Sequence, residues 1–150
     1  MSQTRIGRIE EQEPRTSLPA IRREWFAGNR EQRLARPLDV TQFGVNHLTL
    51  DPGAYSALRH WHEQEDEFVF VLEGALVLID DNGEHSLSAG MYVAFPAGEP
   101  NAHHICNRSA APARLLAIGT RHRGAERVHY PDDDLNRALM RDEKGDRVRS

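Results

Sequence analysis

The sequence lacks most of what would tie a protein to an oxidising compartment, a membrane or a nucleic acid. It holds one cysteine, Cys106, so no internal disulfide can form. It has no long apolar run; the longer ones, such as those at 68–72 and 76–79, are the size of a strand and far short of a bilayer span. Residues 1–13 are polar and charged and carry no apolar segment of the kind a secretory signal needs. Basic residues are not in excess either. There are 19 Lys and Arg against 23 Asp and Glu, for a net charge of -4, and the arginines alternate with acids, as in Arg141-Asp142-Glu143-Lys144. A nucleic-acid surface needs clustered positive charge on one face, and this pattern excludes one. The expectation is a cytoplasmic protein with neither a membrane nor a nucleic-acid partner.

What is present fits one globular domain. With 150 residues, 39% hydrophobic and 28% charged, the chain has room for a modest core and little more. Residues 1–39 are charged and broken by Pro14, Pro19, Gly28 and Pro37, which predicts an irregular N-terminal arm with at most a short helix near 31–35. Residues 40–120 form the domain proper. Short apolar-rich segments at 41–50, 55–62, 67–72, 75–79, 84–88, 91–95, 103–107 and 114–118 are separated by turn signals, among them Asp51-Pro52-Gly53 and Asp80-Asp81-Asn82-Gly83. Strands at this spacing, without a strong helix between them, predict an all-β antiparallel sandwich or barrel. Residues 121–150 are a polar tail. There Asp132-Asp133-Asp134 ahead of Leu135, Ala138 and Leu139 predicts a short helix, with the aspartates as capping and dipole-matching charges rather than a metal site. Residues 142–150 are expected to be unstructured.

The chemistry concentrates in three places. In His60-Trp61-His62 a strand would turn both imidazoles to one face and Trp61 to the other, so that both reach a single ion. An acidic connection then returns the chain at Glu67, whose carboxylate opens the next strand beside the pair. That strand alternates Glu67, Val69 and Val71 against Phe68, Phe70 and Leu72, which predicts a carboxylate and β-branched residues inside and large side chains outside. His103 and His104 both lie where a fourth donor is expected; strand parity and the spacing to Asn107 favour His103. Trp61, Phe68 and Phe70 read as packing residues, Arg59 as a surface ion-pair partner, and Cys106 as a small buried hydrophobe. Asn107 reads as a structural donor to a loop carbonyl.

These residues resemble the two sequence motifs of the cupin superfamily. Gly53, His60, His62, Glu67 and Gly74 resemble the first, with one extra residue between Gly53 and His60. Gly90, Pro96, Gly98, His103 and Asn107 resemble the second, with two extra residues between Gly98 and His103. The resemblance covers residues 40 to about 119 and is similar to small single-domain bacterial cupins. It implies a double-stranded β-helix, or jelly-roll, barrel, usually dimeric. It also implies one divalent metal ion, Fe, Mn, Ni, Zn or Cu, held by His60, His62, Glu67 and His103. Three imidazoles and one carboxylate leave open positions on an octahedral ion, which suits substrate binding. The function so implied is a metalloenzyme acting on a small organic molecule, as a dioxygenase, decarboxylase, lyase or isomerase. The alternative is a binding or sensing protein that uses the same cavity. No catalytic acid or base beyond the ligands declares itself by spacing.

Overall fold

The computed structural model describes residues 2–16, 23–122, 126–132, 139–141 and 147–149. Twelve short strands dominate among them: β1 (Asn29–Arg33), β2 (Phe43–Leu50), β3 (Trp61–His62), β4 (Glu67–Glu73), β5 (Ala75–Asp80), β6 (Gly83–Ser88), β7 (Tyr92–Phe95), β8 (His104–Cys106), β9 (Ala113–Thr120), β10 (Arg127–His129), β11 (Leu139–Arg141) and β12 (Arg147–Arg149). The described α-helix, α1 (Arg23–Phe26), is a single turn. The strands pair antiparallel in three sheets, ordered β1-β2-β9-β4-β7, β12-β11-β10-β3 and β6-β5-β8. This is the all-β antiparallel arrangement expected from the turn spacing, and it is consistent with the jelly roll that the cupin resemblance implies.

Alternation along the strands decides which face is inside. Val69 and Val71 of β4 are buried while Phe68 and Phe70 lie outside, stacked on Tyr92 of β7. The main core lies between the five-stranded and three-stranded sheets. It comprises Leu48 and Leu50 of β2, Val69 and Val71 of β4, Leu115 of β9, Leu76 and Leu78 of β5, Leu87 of β6 and Ile105 of β8. A second apolar cluster of Phe26, Leu58, Val128 and Tyr130 fastens α1 and β10 to the side of the domain.

Gly74, in the β4–β5 connection, shows how tightly the sheets join. It takes φ +88°, and an added Cβ would sit 2.8 Å from the Cβ of Ala113 on β9. Asn107, just after β8, is fully buried. Its amide donates to the carbonyls of Leu50 and Ala111, each at 2.8 Å, and its side-chain oxygen accepts from the Ser109 backbone N–H and hydroxyl. Those four bonds make it the structural tie that its position after β8 suggested.

Three local expectations need correction. The segment near 31–35 is not helical; it belongs to β1, which pairs with β2 from Asn29↔Leu50 to Arg33↔Asn46. The segment 55–62 is strand only at its end, apart from an isolated bridge at Tyr55. Two of its carbonyls, of Tyr55 and Ser56, accept from the Asn29 side chain and are lost to a ladder. Arg147–Arg149, expected to lack structure, is β12. The predicted C-terminal helix, Leu135 to Met140, falls mostly outside the described residues; its last two, Leu139 and Met140, are described and lie in β11, not in a helix.

Candidate metal centre

Two adjacent backbone segments carry the histidines. His60 and His103 face each other in an antiparallel bridge, His60 N–H to His103 O at 3.1 Å and His103 N–H to His60 O at 2.9 Å. The next strand residue with the same parity as His60 is His62, so both rings enter the cavity while Trp61 turns outward and stacks on His129. Glu67 opens β4 opposite, where the register sets it beside Gly119 of β9 and Phe95 of β7. The Phe95 ring lies flat on the His103 imidazole, with centroids 3.4 Å apart.

His60, His62 and Glu67 converge, and His103 joins them through Glu67. Ligand atoms of His60, His62 and Glu67 lie within 4.8 Å of one another. The Nε2 atoms of His60 and His62 stand 3.7 and 3.6 Å from Glu67 Oε2, and His103 Nε2 lies 2.5 Å from Glu67 Oε1. His104 does not share this point. Its Nδ1 hydrogen-bonds the Ala57 carbonyl, and its ring packs against Tyr55 and Trp25.

The tautomers follow from the outer hydrogen bonds. His60 Nδ1 lies 2.7 Å from the Leu58 carbonyl and His103 Nδ1 lies 2.9 Å from the Asn101 carbonyl. A carbonyl only accepts, so each Nδ1 carries the proton and each Nε2 keeps its lone pair. His62 Nδ1 is 2.8 Å from Glu126 Oε1 and is ordered the same way. All three lone pairs therefore point at one region. Burial, helped by the neighbouring His103 and His62, pushes the His60 pKa down to about 3, so that ring is neutral at pH 7. Burial opposes the charge on Glu67, yet the imidazoles of His103, His60 and His62 gathered around it outweigh burial and hold the carboxyl well below its usual range. Three imidazoles around one carboxylate are a donor set that suits a divalent cation. Moreover, His60 Nε2 is buried without a hydrogen-bond partner, a costly condition that a bound cation would relieve. The residues fit the metal that the motifs imply.

Glu126 escaped the sequence reading. It is fully buried, 64 positions from His62 along the chain, and its second oxygen accepts from the Gln64 N–H at 2.8 Å. No motif marks it, and only burial separates it from the many solvated acids around it. Glu65, also buried, adds a second carboxylate 3.8 Å from His62 Nδ1 and accepts from the His122 N–H. Arg59 behaves as expected, paired with Asp132 and Asp81 away from the centre. Cys106 is buried, and that burial pushes its thiol pKa up, away from nucleophilic use.

The centre opens into a cavity of about 480 Å³, a size suited to a small organic molecule. Its walls combine the apolar Val69, Leu115 and Ala117 with the polar Asn46, Glu31, Arg33 and Arg121.

Comparison with known proteins agrees with this architecture. The model of the cupin domain family matches residues 46–119. A solved structure described as a sugar phosphate isomerase from a cupin superfamily, from Silicibacter pomeroyi, is 41% identical; the alignment covers 95% of this chain and 91% of that one, with a TM-score of 0.83. A candidate sugar phosphate isomerase from Acidithiobacillus ferrooxidans is 26% identical over 79% of this chain and 75% of that one, with a TM-score of 0.69. A polyketide cyclase from Streptomyces resistomycificus shares the fold at 19% identity, covering 89% of each chain, with a TM-score of 0.70. No curated protein matches. The motif residues, the jelly roll and a 41% identical relative spanning nearly the whole chain together place this protein in the cupin superfamily.

Proposed function

We propose that the protein is a metal-dependent enzyme in which His60, His62, Glu67 and His103 hold one divalent cation at the floor of the cavity. The single observation that carries this reading is the gathering of three Nε2 atoms around the Glu67 carboxylate, each ring locked by an oxygen at Nδ1. Of the reaction types compatible with such a centre, we favour isomerisation of a small phosphorylated sugar. The support is the 41% identical relative, described as a sugar phosphate isomerase.

A bound cation would act as a Lewis acid on a carbonyl or hydroxyl oxygen of the substrate. The chain supplies the rest. Leu58, Asn101 and Glu126 orient the imidazoles, and Val69, Leu115 and Ala117 keep one side of the cavity dry. The reading carries a cytoplasmic location and a homodimer with it.

The experiment is direct. Purified protein is loaded with Mn²⁺, Fe²⁺, Ni²⁺ or Zn²⁺ and offered a panel of aldose and ketose phosphates in D2O. Proton NMR then follows deuterium entry at the carbon beside the carbonyl. Exchange and isomerisation that vanish in His60→Ala and in Glu67→Gln, with the circular dichroism spectrum unchanged, are expected. Saturable binding of these sugars without exchange would favour the sensing alternative and reject the enzyme.

A further inference from the structure

The cavity has a second pole away from the imidazoles, made of arginine. Arg33 ends β1 and Arg121 follows β9, and both line the cavity that holds the metal centre. The sheet register explains how they meet. Arg33 pairs with Asn46, and two residues along β2 on the same inward face is Gly44, which pairs with Gly119, itself paired with Glu67. The Arg121 guanidinium packs over Gly44, so closely that a Cβ there would stand 2.9 Å from its Nη2. The absence of a side chain at Gly44 makes that seat. Arg33, one row further along the same face, brings a second guanidinium toward it.

Arg33 is paired only at long range, and its Nε lacks a hydrogen bond. Glu31 is the acid on the same inner face of β1, and it stands 3.6 Å from Arg15 and 3.8 Å from Arg33, beyond hydrogen-bond distance in both cases. The Nε of Arg33 is buried and has no hydrogen-bond partner. A buried guanidinium donor without an acceptor costs free energy and calls for a ligand.

We infer that Arg33 and Arg121, assisted by Asn46, form an anchor for the phosphate monoester of the substrate. The inference rests on the metal-enzyme reading above and deepens it, by placing the substrate's charged end. Guanidinium forks match phosphate oxygens in geometry as well as charge. The anchor lies two strands from Glu67, across β9 to β2, or about 10 Å at the usual strand spacing. A sugar of a few carbons bridges that span, with its phosphate on the arginines and its carbonyl end at the imidazoles. An apolar or uncharged substrate would leave the Arg33 Nε without an acceptor.

The probe is inorganic phosphate, titrated by calorimetry into metal-free protein, with acetate as the control anion. Saturable phosphate binding is expected, with acetate much weaker. Arg33→Met and Arg121→Met should each weaken phosphate by about tenfold or more. Arg33→Lys and Arg121→Lys, which preserve charge and packing, should recover part of the loss and guard against a folding artefact. In the Mn²⁺-loaded protein, phosphorus relaxation should place the phosphate about two strand spacings from the ion, roughly 10 Å. Phosphate that binds equally well to the methionine variants, binds only when metal is present, or does not bind at all overturns the inference. Glu67→Gln separates the two readings, because it should abolish metal binding and leave phosphate binding intact. Metal without phosphate binding rejects the anchor alone; phosphate without metal binding rejects the metal centre alone.

Discussion

Each histidine of the centre is held from behind before it can offer a lone pair in front. Two are held by carbonyls, of Leu58 and Asn101, and one by the buried carboxylate of Glu126. A carboxylate behind an imidazole raises its basicity as well as fixing its tautomer, so Glu126 should matter more than its distance from the ion suggests. Glu126→Gln is expected to lower metal affinity about 10–100-fold, read by competition with a chelating dye, while leaving the melting temperature of the metal-free protein close to wild type. An unchanged affinity would show that the Gln64 loop and His62 are positioned without it. The proposed ligands were legible as candidates in the sequence because the two motifs put all four residue types at recognisable spacings. Glu126 was not legible, since nothing local to it differs from a solvated acid.

The elements carry a different lesson. Strand β4 was readable because its pattern alternates cleanly, Val69 and Val71 in and Phe68 and Phe70 out. Strand β1, Asn29–Arg33, was not, because it has no apolar residue; its inward residues, Glu31 and Arg33, face a polar cavity instead of a core. A strand that lines a wet site loses the hydrophobic signal by which strands are found. Tight junctions give the elements their testable weak points. Gly74→Val adds a β-branched side chain at φ +88° and 2.8 Å from Ala113, and should destabilise the fold by about 1–3 kcal/mol in urea melts. Leu115→Ala, emptying a fully buried site between the sheets, should cost about 2–5 kcal/mol. A Gly74→Val protein as stable as wild type would mean that the β4–β5 connection moves away from β9 at little cost.

For the molecule as a whole, the proposed centre would couple stability to pH and to metal. The folded pKa of His60 lies at about 3, below its ordinary value of 6.5, and burial lowers those of His47 and His104 as well. Below pH 6.5 the unfolded chain therefore takes up protons that the folded one refuses, and stability falls as pH drops. The Glu67 carboxyl, held below 4.5, adds a further loss at lower pH still. Chelator-treated protein should lose up to about 1.4 kcal/mol per pH unit through His60 between pH 6.5 and about 5, with His47 and His104 adding in the same direction, measured by denaturant melts. A flat profile across that window would contradict the buried neutral imidazoles. Conversely, a cation that binds only the folded chain should raise stability by about 2.7 kcal/mol at a hundred times its dissociation constant. The most direct test of the account is the metal stoichiometry of the purified protein after loading and desalting, read by mass spectrometry beside His60→Ala and His62→Ala. The account predicts one divalent ion per chain in the wild type and a near-total loss in both variants with the fold retained. A folded wild type that retains no ion, or variants that retain it equally, would contradict it.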